Sequence, residues 1–176
     1  MSKPTDEELM QSVSKGNLDA MTFIFERHHR HIYNFFFQMV RDADVCEDLT
    51  QNVFYKVIKY KHSYKGGKFV SWIFKIARNI FSDYYQKQKK TIPFETIENV
   101  TEYENEESSN QKEELMHLSV VLDGLSIEDK ELVVMNKIRG IKYEQIAEIT
   151  GSTSGAVKTK VHRIIKKIRT NYFETI

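Results

Sequence analysis

Apolar residues in this chain recur at steps of three and four, and little in the sequence interrupts them. Residues 17–40, NLDAMTFIFERHHRHIYNFFFQMV, set Met21, Phe25, His28, Ile32, Phe36 and Met39 on one helical stripe, with Asn17 or Asp19 as its N-terminal cap. Residues 45–59 repeat the spacing through Val45, Leu49, Val53 and Val57. A third helix is expected over 69–90, and the pattern resumes over 115–124, 128–138, 143–149 and 154–172. Only 7 Gly and 2 Pro occur in 176 residues, too few for the turns of a many-stranded sheet. The expected fold class is all-α.

Charge divides the helices into blocks. Residues 1–90 carry 15 basic and 10 acidic side chains, residues 91–114 carry eight Glu against Lys112, and residues 115–176 carry 10 basic and 7 acidic. The net charge of +1 therefore hides two positive modules on either side of a strongly negative strap. Within the modules the bias sharpens: residues 56–90 hold ten Lys or Arg against Asp83 alone, and 154–169 hold six basic residues and no acid. Two basic patches point to a polyanion contacted twice. The strap contains Pro93 and little periodicity, so an acidic flexible linker is expected there. The organisation is thus a helical domain over 1–90, a linker over 91–114 and a second helical domain over 115–176.

In the last of these, YEQIAEITGSTSGAVKTKVHRIIKKIR (143–169) spaces Ala147, Gly151 and Val157 as a helix-turn-helix requires. A small residue allows two helices to cross closely, Gly supplies a positive φ in the turn, and an apolar residue packs the second helix back. Ser152 departs from the apolar residue expected in that turn. Thr153 or Ser154 can cap the second helix. Val157, Val161, Ile164 and Ile168 form its inner stripe, which leaves Lys158, Lys160, Arg163, Lys166, Lys167 and Arg169 outside. The bland alternative is an amphipathic helix with a solvated basic face; the register of Ala147, Gly151 and Val157 favours DNA.

The stretch FVSWIFKIARNIFSDYY (69–85) is open to two readings. Its apolar residues suit a buried helix, with Phe69, Ile73, Ile76, Ala77 and Ile80 as core. Its aromatics stand beside Lys75, Arg78 and Asn79, and such a mixture also suits a surface that stacks unpaired bases. Trp72 fits either face.

Other signals carry less. Cys46 is the single cysteine, which excludes an internal disulfide and fits a reducing cytoplasm. The N-terminal MSKPTDEELMQSV lacks the apolar core of a signal peptide, and no run of about 18 apolar residues occurs, so a cytoplasmic location is expected. His28 and His31 are spaced for a metal but have no third ligand beside them. The GGK at 66–68 lacks the remainder of a phosphate loop. No nucleophile–base or paired-carboxylate motif is present. No catalytic activity, cofactor, metal or small-molecule substrate is expected.

Taken in order and spacing, NLDAMTFIFERHHRHIYNFFFQMV, EDLTQNVFYKVIK, FVSWIFKIARNIFSDYYQKQKK and LSIEDKELVVMNKIRGIKYEQIAEITGSTSGAVKTKVHRIIKKIR resemble a bacterial RNA polymerase sigma factor. The resemblance is to the extracytoplasmic-function group of the sigma-70 family, over nearly the whole chain. It implies a subunit that binds core RNA polymerase, directs it to promoters and helps melt the −10 region. It implies as partners the clamp helices of the largest polymerase subunit, the flap of the second-largest, promoter DNA in double- and single-stranded form, and an anti-sigma factor.

Residue by residue, it implies core-polymerase contacts by Glu47, Asp48, Gln51 and Phe54, the last as an aromatic anchor among polar groups. Asn52 stands where the family usually has Glu. The −10 contacts implied are Tyr64 and Lys68 in the loop YKHSYKGGK, which cradles an extruded base, and Trp72, Lys75, Arg78, Asn79 and Asp83 on the helix. The −35 contacts implied are Thr153, Ser154, Gly155, Lys158, Lys160 and Arg163. The acidic strap would thread the nucleic-acid channel of the polymerase. Two other readings of the residues remain: a helix-turn-helix regulator that binds an operator without polymerase, and a helical interaction protein that never touches DNA.

Overall fold

The computed structural model describes residues 3–91 and 117–174, and these form two compact helical units. The acidic segment expected as a linker lies outside the described residues, apart from Thr91 at the end of a helix. Among the described residues there is no strand, and no helix is long and apolar enough to cross a membrane.

The first unit contains α1 (Asp6–Ser14), α2 (Ala20–Val40), α3 (Ala43–Lys59), a 3-10 turn (Lys61–Ser63) and α4 (Phe69–Thr91). Helix α1 was not expected, although its start is written in the sequence. Thr5 Oγ1 accepts from the Glu8 backbone N–H at 3.2 Å and Glu8 Oε2 accepts from the Thr5 N–H at 2.7 Å, a reciprocal capping box. Leu9, Met10 and Val13 then face inward.

In α2 the inner positions are Met21, Ile24, His28, Ile32, Phe35 and Phe36. Phe25, expected in this stripe, is 43% exposed instead, and Ile24 holds the buried place beside it. Asp19 precedes the helix but makes no side-chain capping bond. Helix α3 packs against both α2 and α4, so it buries Leu49, Val53 and Val57 as expected and also Cys46, Thr50 and Phe54. Helix α4 buries Phe69, Ile73, Phe74, Ala77, Ile80 and Phe81, while Ile76, expected in the core, is only half-buried.

The helices after residue 116 are α5 (117–123), α6 (Ile127–Val133) running into a π-turn (Val134–Ile138), α7 (Tyr143–Thr150) and α8 (Ser154–Glu174). Ser126 Oγ caps α6 through the Asp129 N–H at 3.2 Å. The π-turn closes on Gly140 at φ +68°, and Asn136 Nδ2 donates to the Ile141 carbonyl at 3.0 Å. Val157, Val161, Ile164 and Ile168 form the buried stripe of α8, as the sequence spacing requires.

Candidate functional site

The turn between α7 and α8 is made by backbone chemistry. Gly151 takes φ +68°, a left-handed conformation that a side chain disfavours, and the Ser152 N–H donates to the Ala147 carbonyl at 2.9 Å. Ser152 contributes its amide there and its side chain is exposed, so a polar residue is tolerated. Thr153 Oγ1 accepts from the Ala156 N–H at 3.2 Å, so of the two expected caps Thr153 makes the bond.

Helix α8 then presents Gly155, Lys158 and Arg163 to solvent. Ser154 is half-buried. Lys160 is partly exposed, with Nζ 3.4 Å from Asp129 Oδ1 and 3.8 Å from Glu128 Oε2 at the start of α6. An open groove beside this pair is lined by Asp129, Gly155, Thr159, Lys160, Arg163 and Lys167. Two exposed residues of the face were missed in sequence: Thr159, and His162, whose ring stands edge-on to Tyr143 at 6.5 Å. His162 lies four residues after Lys158, a helical spacing that makes them neighbours and that the sequence already contained.

In the first unit, α4 divides into two faces. Lys75, Asn79 and Asp83, at steps of four, are exposed, and Trp72 and Arg78 are half-buried. Phe74 and Phe81, which the sequence left open as base-stacking surfaces, are 3% and 2% exposed and belong to the core. The helix starts after Gly66 and Gly67, both at positive φ (+92° and +82°). Lys68 is exposed at the end of this loop. Tyr64, expected to meet DNA, is buried: its hydroxyl donates to the Gly67 carbonyl at 2.7 Å and its ring packs edge-on against Trp72 at 5.3 Å. Burial, reinforced by the charges of Glu7 and Asp6, raises the pKa of the phenol. Tyr64 thus braces the loop from within.

Helix α3 exposes Glu47, Asp48, Gln51 and Asn52 together. Phe54, expected as the aromatic anchor of this surface, is 6% exposed, its ring edge-on to Phe25 at 4.9 Å. The packing of α3 on two neighbours places it inside. Its neighbour Tyr55 is 62% exposed and Ile58 38% exposed, so the apolar part of the α3 surface is theirs.

Among the described residues no group of three or more His, Cys, Asp or Glu stands together as a metal site. His28 is paired with Asp6, Nε2 to Oδ2 at 2.8 Å. Cys46 is buried, and the loss of solvent pushes its thiol up to about 11, where it stays protonated at neutral pH.

A helix-turn-helix with a basic exposed helix, joined in one chain to a helical unit with a mixed aromatic and cationic face, places the protein among the DNA-binding proteins of transcription. Comparison with known proteins gives the family. The model of sigma-70 region 2 matches residues 24–91 and that of sigma-70 region 4 matches residues 115–168. Between them they cover more than two thirds of the 176 residues.

The chain is 29% identical to the RNA polymerase sigma factor CarQ of Myxococcus xanthus, over 91% of this chain and 93% of that one. It is 26% identical to the ECF RNA polymerase sigma factor SigX of Bacillus subtilis (strain 168), over 86% and 82%. The fold is similar to that of CnrH, solved in complex with the cytosolic domain of CnrY, with TM-score 0.74, 19% identity and coverage of 94% and 95%. It is also similar to the sigma factor RpoE of Bartonella quintana, solved with the anti-sigma factor NepR, with TM-score 0.72, 23% identity and coverage of 85% and 94%. The chain belongs to the sigma-70 family of RNA polymerase sigma factors, in its extracytoplasmic-function group.

Proposed function

We propose that this chain binds core RNA polymerase, brings it to two-part promoters and helps open the −10 region. The observation that carries the reading is the order of the two family regions on one chain, region 2 over 24–91 and region 4 over 115–168. A regulator that binds an operator by itself accounts for the second region only.

The division of labour follows the sequence blocks. Residues 1–90 bind polymerase and the −10 element, 91–114 connect, and 115–176 bind the −35 element. Glu47, Asp48 and Gln51 meet polymerase, with Tyr55 as their exposed aromatic neighbour and Phe54 supporting them from below. Lys68, Trp72, Lys75, Arg78, Asn79 and Asp83 face the −10 strand, where stacking offsets the cost of unpairing by roughly 1–3 kcal/mol per base. Tyr64 shapes the loop beside them. Thr153, Ser154, Gly155, Lys158, Lys160 and Arg163 address the −35 duplex through phosphates and base edges.

Each footprint is small, so the free chain binds DNA weakly. Polymerase holds both footprints at once and converts the second contact into an intramolecular one. The chain works in the cytoplasm, has no catalytic activity of its own, and is held in check by an anti-sigma factor, by analogy with RpoE, which was solved with the anti-sigma factor NepR. Transcription in vitro with purified core enzyme and a promoter library tests the reading. Specific initiation only when this chain is added supports it; a footprint from the chain alone, with no effect on initiation, removes it.

A further inference from the structure

Helix α4 begins without a cap of its own. The Trp72 N–H donates to the Lys68 carbonyl at 3.3 Å, which puts Lys68 at the capping position with a side chain that has no acceptor. The first N–H groups of a helix have no partner inside it and must find one elsewhere. The Phe69 N–H finds Glu7 Oε1 at 3.2 Å, 62 residues away in sequence. A carboxylate at a helix N-terminus is favoured by the helix dipole as well.

The neighbouring residues of α1 are each committed differently. Thr5 and Glu8 close the capping box of α1 itself. Asp6 bonds Arg27 Nη1 and His28 Nε2, each at 2.8 Å. The His28 ring then stands edge-on to Phe69 at 5.1 Å, and Phe69 also meets the rings of Tyr64 at 6.3 Å and Trp72 at 6.1 Å. Helix α1 also packs on the 3-10 turn Lys61–Ser63. These contacts converge on the start of α4 and on the loop that leads into it, and their α1 side lies upstream of residue 24, where the region 2 match begins.

We infer that α1 is a positioning element for the −10 loop and that Glu7, by capping α4 from outside, fixes the first turn that carries Phe69 and Trp72. This rests on the assignment of that loop and helix to the −10 strand. Glu7 touches no DNA in this scheme. It acts through the Phe69 amide, holding Lys68 and Trp72 where a strand meets them.

The test uses holoenzyme assembled from the full chain and bacterial core polymerase. The probe is a labelled single-stranded oligonucleotide carrying the non-template −10 segment of a promoter on which the wild type initiates. Glu7→Ala is expected to weaken strand binding about five- to tenfold, the size of a lost helix cap, with affinity for core polymerase unchanged within about twofold. Glu7→Gln keeps an acceptor oxygen and is expected to stay within about twofold of wild type. Hydrogen exchange at the Phe69 amide of the free chain should quicken in Glu7→Ala and not in Glu7→Gln.

Glu7→Ala with wild-type strand affinity and a rapidly exchanging Phe69 amide overturns the inference. So does Glu7→Gln falling together with Glu7→Ala, and so does a parallel loss of core-polymerase binding, which would make α1 a general support. Asn79→Ala separates the two layers. If it weakens strand binding while Glu7→Ala does not, only the positioning role falls; if neither variant matters, the −10 assignment falls with it.

Discussion

Oδ2 of Asp6 lies 2.8 Å from Nε2 of His28, and this contact fastens the first helix to the second across 22 residues of sequence. Arg27 Nη1 meets the other carboxylate oxygen of Asp6 at 2.8 Å and also donates to the Pro4 carbonyl at 2.9 Å. His28 is buried and shares the Asp6 carboxylate with Arg27, so an amide at position 6 keeps one acceptor oxygen but loses the charge and the second acceptor that serve both partners. Asp6→Asn is expected to cost about 1–2 kcal/mol at neutral pH, measured by thermal or urea unfolding.

The same site sets a pH dependence. Burial pushes the Asp6 carboxyl up, but its bonds to Arg27 and His28 pull it further down, and the net result lies below the ordinary value of 3.8. A carboxyl that is more acidic folded than unfolded stabilises the fold in full above its unfolded value. That contribution fades as pH drops below 3.8 through the folded value. The stability gap between wild type and Asp6→Asn should therefore be constant at neutral pH and shrink below about pH 4. A gap that instead widens on acidification would sink this account.

At the helix-turn-helix, Gly151→Ala isolates a backbone effect. A Cβ at this position meets nothing within 4 Å, so crowding does not enter. The cost is that of φ +68° for an L-residue, about 1 kcal/mol. Asn at the same position should cost less, because it tolerates the left-handed region. Unfolding followed by a probe in the C-terminal domain, such as the signals of Tyr143 or His162, ranks the three variants.

How much of this was legible in the sequence differs from helix to helix. Val157, Val161, Ile164 and Ile168 were readable because α8 buries one narrow stripe, and Gly151 because its turn requires a positive φ that few other residues accept. Phe54 was not. A helix packed on two neighbours buries a wider arc than one stripe, and Cys46, Thr50 and Phe54 form the second edge of the α3 arc. Phe25 failed for the opposite reason, since Ile24 takes the inner position and leaves it at the rim. The start of α1 was written as Thr5-x-x-Glu8 before an apolar run and could have been read. The bond from Phe69 to Glu7 could not, because no local pattern encodes a partner 62 residues away.

Lys160 is held in this structure by Asp129 and Glu128, at 3.4 Å and 3.8 Å. Ion pairs this exposed are worth at most about 1 kcal/mol, so a DNA phosphate can displace them. Asp129→Asn removes the nearer competitor. The affinity of holoenzyme for a −35 duplex should rise about two- to fivefold, and log affinity should fall about one unit more steeply with log salt as Lys160 engages a phosphate. In a Lys160→Ala background the gain should vanish. If Asp129→Asn helps equally with and without Lys160, the effect is general repulsion and the pair has no part in it.

The α3 surface offers the sharpest separation between folding and binding. Phe54 is 6% exposed and packs on Phe25 at 4.9 Å, so Phe54→Ala opens a cavity and should cost about 3–4 kcal/mol of stability. Tyr55, 62% exposed beside it, has little to lose on folding, and Tyr55→Ala should leave stability within about 0.5 kcal/mol of wild type. Binding to core polymerase should show the reverse order. If α3 docks polymerase through its exposed face, Tyr55→Ala, Asp48→Ala and Gln51→Ala should each weaken the complex, the aromatic about tenfold or more, as buried interface aromatics do. Phe54→Ala should weaken it only to the extent that the domain unfolds, so lowering the temperature should restore binding to Phe54→Ala and not to Tyr55→Ala. Titration of each variant against core enzyme at two temperatures, with unfolding curves at both, decides between Tyr55 and Phe54 as the aromatic that polymerase touches.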